Sequence, residues 1–310
     1  MEWVRRGLIY KPEQKYDWAQ SHAQVPTAEL LENNKIRIYF CSRDKNNRSY
    51  SSYIESDAKS PERILYKHNK PILKLGKAGS FDDNGIMPTT VIKYQNKIFF
   101  YYIGWNTGNT ARYRVAHGLA ISDDNAKTFL KVSEGPIMDR SMTDPISVSN
   151  HSIIIENGIW RMWYMSYTKW EKFNNFYEPY YIIKYAESKD GIIWSPKGNI
   201  CIDLKNENEA GIARPYVLKE NGIYKMWYSY RNKSNYRKSK KDSYRIGYAE
   251  SKDGLKWERK DNLFSIGLSP SGWDSEMIAY PNIYKTGNKK YLLYNGNGFG
   301  QSGFGYLTEK

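Results

Sequence analysis

Cysteine is almost missing from this chain. Only Cys41 and Cys201 occur, without the CxxC spacing of metal or redox sites, so no disulfide framework is expected and both thiols read as buried. Long apolar runs are missing too: nothing approaches the roughly 20 residues of a membrane span, and the chain is expected to be soluble with no membrane partner. The opening Met1-Glu2-Trp3-Val4-Arg5-Arg6 holds a basic pair but no apolar segment and no small-residue cleavage site. It does not read as a signal peptide, and a cytoplasmic location is expected. No segment sustains a helical period. Acidic residues are in short supply, 33 against 47 Lys and Arg, for a formal charge of +14. Such an excess points to an anionic partner, a nucleic acid, a phosphate or an acidic sugar. Most of the lysines are scattered, and only the segment from Arg231 to Arg245 concentrates charge, reading either as a solvated loop or as an anion-binding lid.

Aromatics are abundant, 15% of residues with 28 Tyr, and they fall in a repeat. Glu220-Asn221-Gly222-Ile223-Tyr224-Lys225-Met226-Trp227-Tyr228 repeats Glu156-Asn157-Gly158-Ile159-Trp160-Arg161-Met162-Trp163-Tyr164, and the run Ala249 to Trp257 repeats Ala186 to Trp194. Extending that frame gives five marker pairs: Pro26 and Tyr39, Pro88 and Tyr101, His151 and Tyr164, Pro215 and Tyr228, Pro281 and Tyr294. Internal repetition of this length means a repeat architecture. Each unit reads as four short strands broken by Asn-Gly, Asn-Asn, Gly-Asn and Asp-Gly, which favour tight hairpins. The reading is all-β: a five-bladed β-propeller of four-stranded antiparallel blades in a single domain over 1–310. The blades fall at about 20–75, 76–138, 139–203, 204–266 and 267–310. The last is one strand short, and Trp3 to Tyr10 parallels the fourth-strand pattern Trp194 to Cys201, so residues 1–12 should complete that blade and close the ring.

Chain direction then sorts the loops. The first-to-second and third-to-fourth turns share one face and are tight. The other face carries the long segments with Arg43, Arg48, Trp105, Arg114, Trp170, Tyr177 and the run from Arg231, together with Trp18 and Trp273. Elaborated loops on a rigid scaffold are where function sits. The starts of the first strands converge there, bringing Ser21, His22, Gln24, Asp82, Asp83, Asp144, Glu209, Arg214, Asp274 and Glu276 toward one funnel. Four of the five units place a carboxylate five to seven residues before the marker. Paired carboxylates around a sugar are what glycoside hydrolysis needs, one to protonate the leaving oxygen and one as base or nucleophile. Such carboxylates also cap turns or pair with arginines.

With its repeated Trp after Ser-Lys-Asp-Gly and an acid before each first strand, the whole chain resembles the five-bladed β-propeller glycosidase superfamily of arabinanases and xylosidases, invertases and mannoside phosphorylases. The resemblance implies that Asp144 tunes a pKa and that Glu209 is a general acid; Asp83 and Glu276 are the further catalytic candidates, acids able to position a water where a base is missing. It departs in the first unit, where Ser21, His22 and Gln24 stand in place of a catalytic Asp. Substrate-binding candidates are His22, Gln24, Arg43, Trp105, His151, Trp170, Arg214 and Trp273. The function expected is cleavage or transfer at a glycosidic bond. The alternatives are a phosphorylase or glycosyltransferase using phosphate or an activated or phosphorylated sugar, and a non-catalytic carbohydrate-binding propeller. No cofactor is required and no metal ligands are assigned, though a central metal ion or bound phosphate stays open. The partner is a carbohydrate, anionic or phosphorylated in some readings. Nucleic acid is the weakest reading, since the basic residues form no recognised module.

Overall fold

In the computed structural model, residues 2–173 and 176–310 are described. The tight turns of the sequence repeat are where the backbone reverses: Asn33 and Asn34, Gln95 and Asn96, Asn157 and Gly158, and Asn221 and Gly222 all have positive φ, the hairpin geometry that these residue types tolerate. Between them the Ile-, Tyr- and Trp-rich runs form strands. The first unit is Ser21–Leu30, Lys35–Arg43, Ser49–Asp57 and Ile64–Lys67, and the second is Gly85–Tyr94, Lys97–Thr107, Tyr113–Ser122 and Leu130–Lys131. The third is Val148–Glu156, Ile159–Phe173, Phe176–Ser188 and Ser195–Ile202, and the fourth is Glu209–Glu220, Ile223–Asn232, Arg245–Ser251 and Glu258–Arg259. Within each unit the strands pair antiparallel in sequence order. A last sheet holds Ala279–Thr286, Lys289–Asn295 and Phe304–Glu309, and Trp3–Tyr10 pairs antiparallel with the latter, Trp3 opposite Glu309. Strands make up nearly all of the regular structure, with only Asp261–Leu263 and Asn297–Gly300 helical among the described residues. Among the described residues no helix is long and apolar enough to cross a membrane.

Neighbouring units are tied near their first strands. Ser51 donates to the Ile86 carbonyl, Thr90 to the His151 carbonyl, and the Val217 and Tyr280 amides to Ser152 and Ser229. The Ala28 amide donates to Asn282. Apolar side chains fill the seams between sheets, among them Trp163 with Tyr224 and Trp3 with Trp227.

Two expectations change. Trp170 and Tyr177 read as loop residues, but the hairpin arms continue through them, pairing Trp170 with Pro179 and Lys172 with Tyr177, as β-branched and aromatic composition favours. The repeated Trp read as a fourth-strand residue, yet Trp194 and Trp257 stand just before those strands and donate to the Gly191 and Gly254 carbonyls. The Ser-x-Asp motif before them is a turn lock: Asp190 accepts the Ile192 and Ile193 amides and the Ser188 hydroxyl, and Asp253 does the same in the next unit.

Candidate functional site

Every first strand carries a register shift near its marker residue. At three of these bulges Val25, Arg214 and Tyr280 take φ of 53°, 45° and 63°, a left-handed conformation unfavourable for such side chains. Val25 is held there by its amide, which donates to Asn295 Oδ1 at 2.7 Å. Bulges re-aim side chains, and these surround a cavity of about 320 Å³ whose lining includes Gln24, Val25, Met87, Asn150, Ala213 and Tyr280. Its upper wall comes from the long segments: Arg43, Trp105, Arg112, Tyr113, Tyr236, Arg237 and Phe299. Gly85 leaves room for Trp105, because a Cβ there would lie 1.8 Å from the indole nitrogen.

The walls are cationic and phenolic. Tyr113, Tyr167, Tyr181, Tyr236, Tyr244 and Tyr280 all line the cavity, with Arg43, Arg112 and Arg237. Among the described residues no carboxylate does. Arg43 donates through Nε to Gln24 Oε1 at 3.1 Å, and among the described residues it has no carboxylate within salt-bridge distance. Burial, aided by the charge of Arg237, draws its pKa below the usual arginine value. Arg237 donates to Glu178 at 3.2 and 3.0 Å, Arg112 approaches the same carboxylate at 3.7 Å, and Tyr236 Oη donates to it at 2.7 Å. Burial works against the charge of Glu178, but Arg237 and Tyr236 outweigh it and hold the carboxyl below the usual range. Behind Tyr236, Arg231 is 1% exposed, stacks 3.9 Å from its ring centroid and donates to Tyr181 Oη. The charged run from Arg231 thus splits into a buried pillar, a cavity arginine and exposed lysines.

Of the residues singled out from the sequence, Gln24, Arg43 and Trp105 line the cavity. Trp170 stands behind the wall, packed on Tyr113 and Tyr167. Arg214 lies deeper: Pro26, Thr27 and Pro88, which follow the lining residues Val25 and Met87, accept its guanidinium at 2.7–3.2 Å. Burial lowers its pKa to about 9. His151 is a buried core histidine, bonded to Thr89 at 2.9 Å and packed on His117, and burial drives its pKa well down. His22 bonds Ser21, and burial with Arg43 lowers its pKa to about 4. Trp273 packs on Tyr294.

The four carboxylates assigned to catalysis are outside that lining. Glu209 receives Arg259 at 2.7 and 2.9 Å. Asp144 is fully buried and accepts Ser166, Tyr164 and Lys184 at 2.6, 2.9 and 3.2 Å. Asp83 accepts the Gly79 amide through one oxygen, the other being buried without a partner, and Glu276 is exposed. Asp82 with Tyr102 and Lys131, and Asp274 with Tyr294 and Arg5, repeat the Asp144 arrangement. A carboxylate saturated by a phenol and a cation of its own sheet is a latch within that sheet. Tyr236, Arg112 and Glu178 were not singled out, because each occurs in one unit alone and no repeat marks it. Among the described residues, no group of three or more His, Cys, Asp or Glu side chains is arranged to hold a metal ion.

No protein-family model matches the sequence. The uncharacterized protein Rv1502 of Mycobacterium tuberculosis is 35% identical over 305 residues, 98% of each chain. Among solved structures, one described as a glycoside hydrolase superposes with a TM-score of 0.75 at 16% identity, covering 99% of this chain and 91% of that one. A thermostable family-43 glycoside hydrolase gives 0.68 at 18% identity over 93% and 88% of the two chains. A structure from work on the GH130 family of mannoside phosphorylases, which contains glycoside hydrolases that target β-1,2 mannosidic linkages in Candida mannan, gives 0.66 at 15% identity over 99% and 90%. The chain therefore belongs to the family of Rv1502, and its fold is that of the propeller glycosidases.

Proposed function

We propose that the chain is a carbohydrate-active enzyme whose cavity takes an acidic saccharide and that it acts at a glycosidic bond. In this reading residues 1–310 form one domain of five four-stranded blades about a common axis, and the N-terminal strand closes the ring through its pairing with Phe304–Glu309. The observation that carries the reading is the lining itself, three arginines and six tyrosines with no carboxylate among the described residues. Phenol faces and Trp105 suit the apolar faces of sugar rings, and phenol hydroxyls suit their hydroxyls. Arg43 brings a largely desolvated charge without a carboxylate partner among the described residues, which an anionic ligand group would neutralise. The folds of the neighbours described above add weight, since all three are described in terms of glycoside hydrolases.

The test is calorimetric titration with glucuronic, galacturonic and N-acetylneuraminic acids against glucose, galactose and N-acetylmannosamine. Acids should bind and their neutral counterparts should not. Arg43→Gln should weaken the acid by about 10- to 100-fold, the equivalent of about 1.5–3 kcal/mol for a hydrogen bond to a charged group. Equal affinity for acid and neutral sugars would remove the reading. A second reading, phosphorolysis or transfer with phosphate at Arg43, draws on the same guanidinium and on the GH130 neighbour. Product release that requires added phosphate would favour it.

A further inference from the structure

An acidic sugar poses an electrostatic problem for a glycosidase. Its own negative charge repels a carboxylate nucleophile in a site of low dielectric, where like charges a few Å apart cost several kcal/mol. A neutral nucleophile that ionises only as it attacks avoids that repulsion. The cavity offers one arrangement of this kind. Tyr236 lines it, and its Oη donates to Glu178 Oε2 at 2.7 Å. Glu178 is, among the described residues, the one carboxylate bonded to side chains of the cavity wall.

We infer that Tyr236 and Glu178 are a nucleophile and its base, and that the chain opens the glycosidic bond of an acidic sugar through a covalent bond between the anomeric carbon and Tyr236 Oη. The inference rests on the acidic-saccharide reading above and names the group that performs its chemistry. Three observations support it. The hydroxyl and carboxylate are at hydrogen-bonding distance, the first requirement of an activated nucleophile. The base is itself oriented: Arg237 holds Glu178 through two nitrogens and Arg112 stands at 3.7 Å, so it is fixed in its ionised form beside the hydroxyl. Finally, Arg231 stands over the Tyr236 ring, 3.9 Å from its centroid, where its charge works against the burial that raises the phenol's pKa well above its usual value.

The step balances with water as the only co-reactant. Tyr236 passes its proton to Glu178 as Oη bonds to the anomeric carbon, and the bond to the leaving oxygen breaks with its electron pair. Water then attacks the anomeric carbon, Tyr236 leaves and recovers its proton from Glu178, and the proton lost by water goes to the departed alkoxide. Arg43 receives the carboxylate of the sugar. The arrangement differs from the two-carboxylate geometry of most glycosidases, and a tyrosine nucleophile has precedent in glycoside hydrolysis.

The experiment uses the full chain with methylumbelliferyl glycosides of glucuronic, galacturonic and N-acetylneuraminic acids, whose leaving group needs no proton, and with fluorinated glycosyl fluorides of the same sugars as traps. Turnover of at least one glycoside is expected, and the trap should add one sugar mass that peptide mapping assigns to Tyr236. Tyr236→Phe should lose kcat by more than about 100-fold, far more than it weakens the free acid, and Glu178→Gln should lose kcat by roughly 10²–10⁴-fold together with the acidic limb of the pH profile. If Tyr236→Phe fails to fold, the adduct in the unaltered chain decides. An adduct on any carboxylate, turnover retained in Tyr236→Phe, or binding of acids with neither turnover nor adduct would overturn the inference and leave the binding reading standing. If no acidic sugar binds the unaltered chain, both fall.

Discussion

Glu209 was singled out by its place at the head of a first strand, and it lies outside the cavity lining, bonded to Arg259. A general acid has to reach its substrate, and this carboxylate is instead gripped by both ends of one guanidinium and by the Lys205 amide. The expected phenotype of Glu209→Gln is therefore a loss of stability. Removing the charge leaves Arg259 with Asp261 as its carboxylate and the Asp203 carbonyl, and urea unfolding should shift by about 1–3 kcal/mol while affinity for acidic sugars is unchanged. A stable variant with turnover reduced 100-fold or more would return Glu209 to the chemistry. The same logic covers Asp82, Asp144 and Asp274, each bonded to the tyrosine twenty residues onward and paired with a cation. Recurrence at equivalent positions drew attention to these acids. A feature repeated in three units belongs to the unit, however, whereas a ligand in a shared cavity meets each unit from a different side.

Strands and turns were legible because hairpin chemistry is local. Asn157-Gly158 and Asn221-Gly222 announce reversals from two residues, and Ser188-Lys189-Asp190-Gly191 carries its own amide acceptors. Contacts between sheets were less visible, since they join residues about sixty apart. Glu220 ends the first strand of the fourth unit and receives Lys225 of its own sheet with Lys285 and Lys290 of the next. Burial opposes its charge, but the lysines prevail and bring its pKa from 4.5 to about 2. Its contribution to stability is thus complete above pH 4.5 and is lost as pH falls toward 2. His117 behaves likewise for a different reason: burial keeps it neutral and lowers its pKa from 6.5 to about 4, so its contribution is lost as pH falls through that window. Urea unfolding across pH should show both declines, and Glu220→Gln should flatten the lower one while leaving the upper. A variant whose acid limb matches the unaltered chain would show that the clasp is not what fails in acid.

At the scale of the molecule, the difference between faces was readable from loop length, and it led to Arg43, Trp105 and Gln24. The tyrosine wall was not readable, because 28 tyrosines are spread through a chain whose cores also use them, and only tertiary placement separates Tyr280 on the cavity from Tyr284 in a seam. Charge acts at this scale too: with a net +14, association with an acidic ligand should slow as salt rises and the Debye length falls below about 10 Å. Below the lining, Arg214 spans the first strands of three units by grasping the Pro26 and Pro88 carbonyls and the Thr27 hydroxyl. It is a cork. With Arg214 packed next to the lining of a cavity of about 320 Å³, a saccharide polymer is expected to enter by its terminus. The protein would then count chain ends rather than chain length: at equal molar concentration of termini, a disaccharide and a long oligomer should compete equally in displacement titrations. A polymer that gained affinity with every added sugar would overturn this expectation.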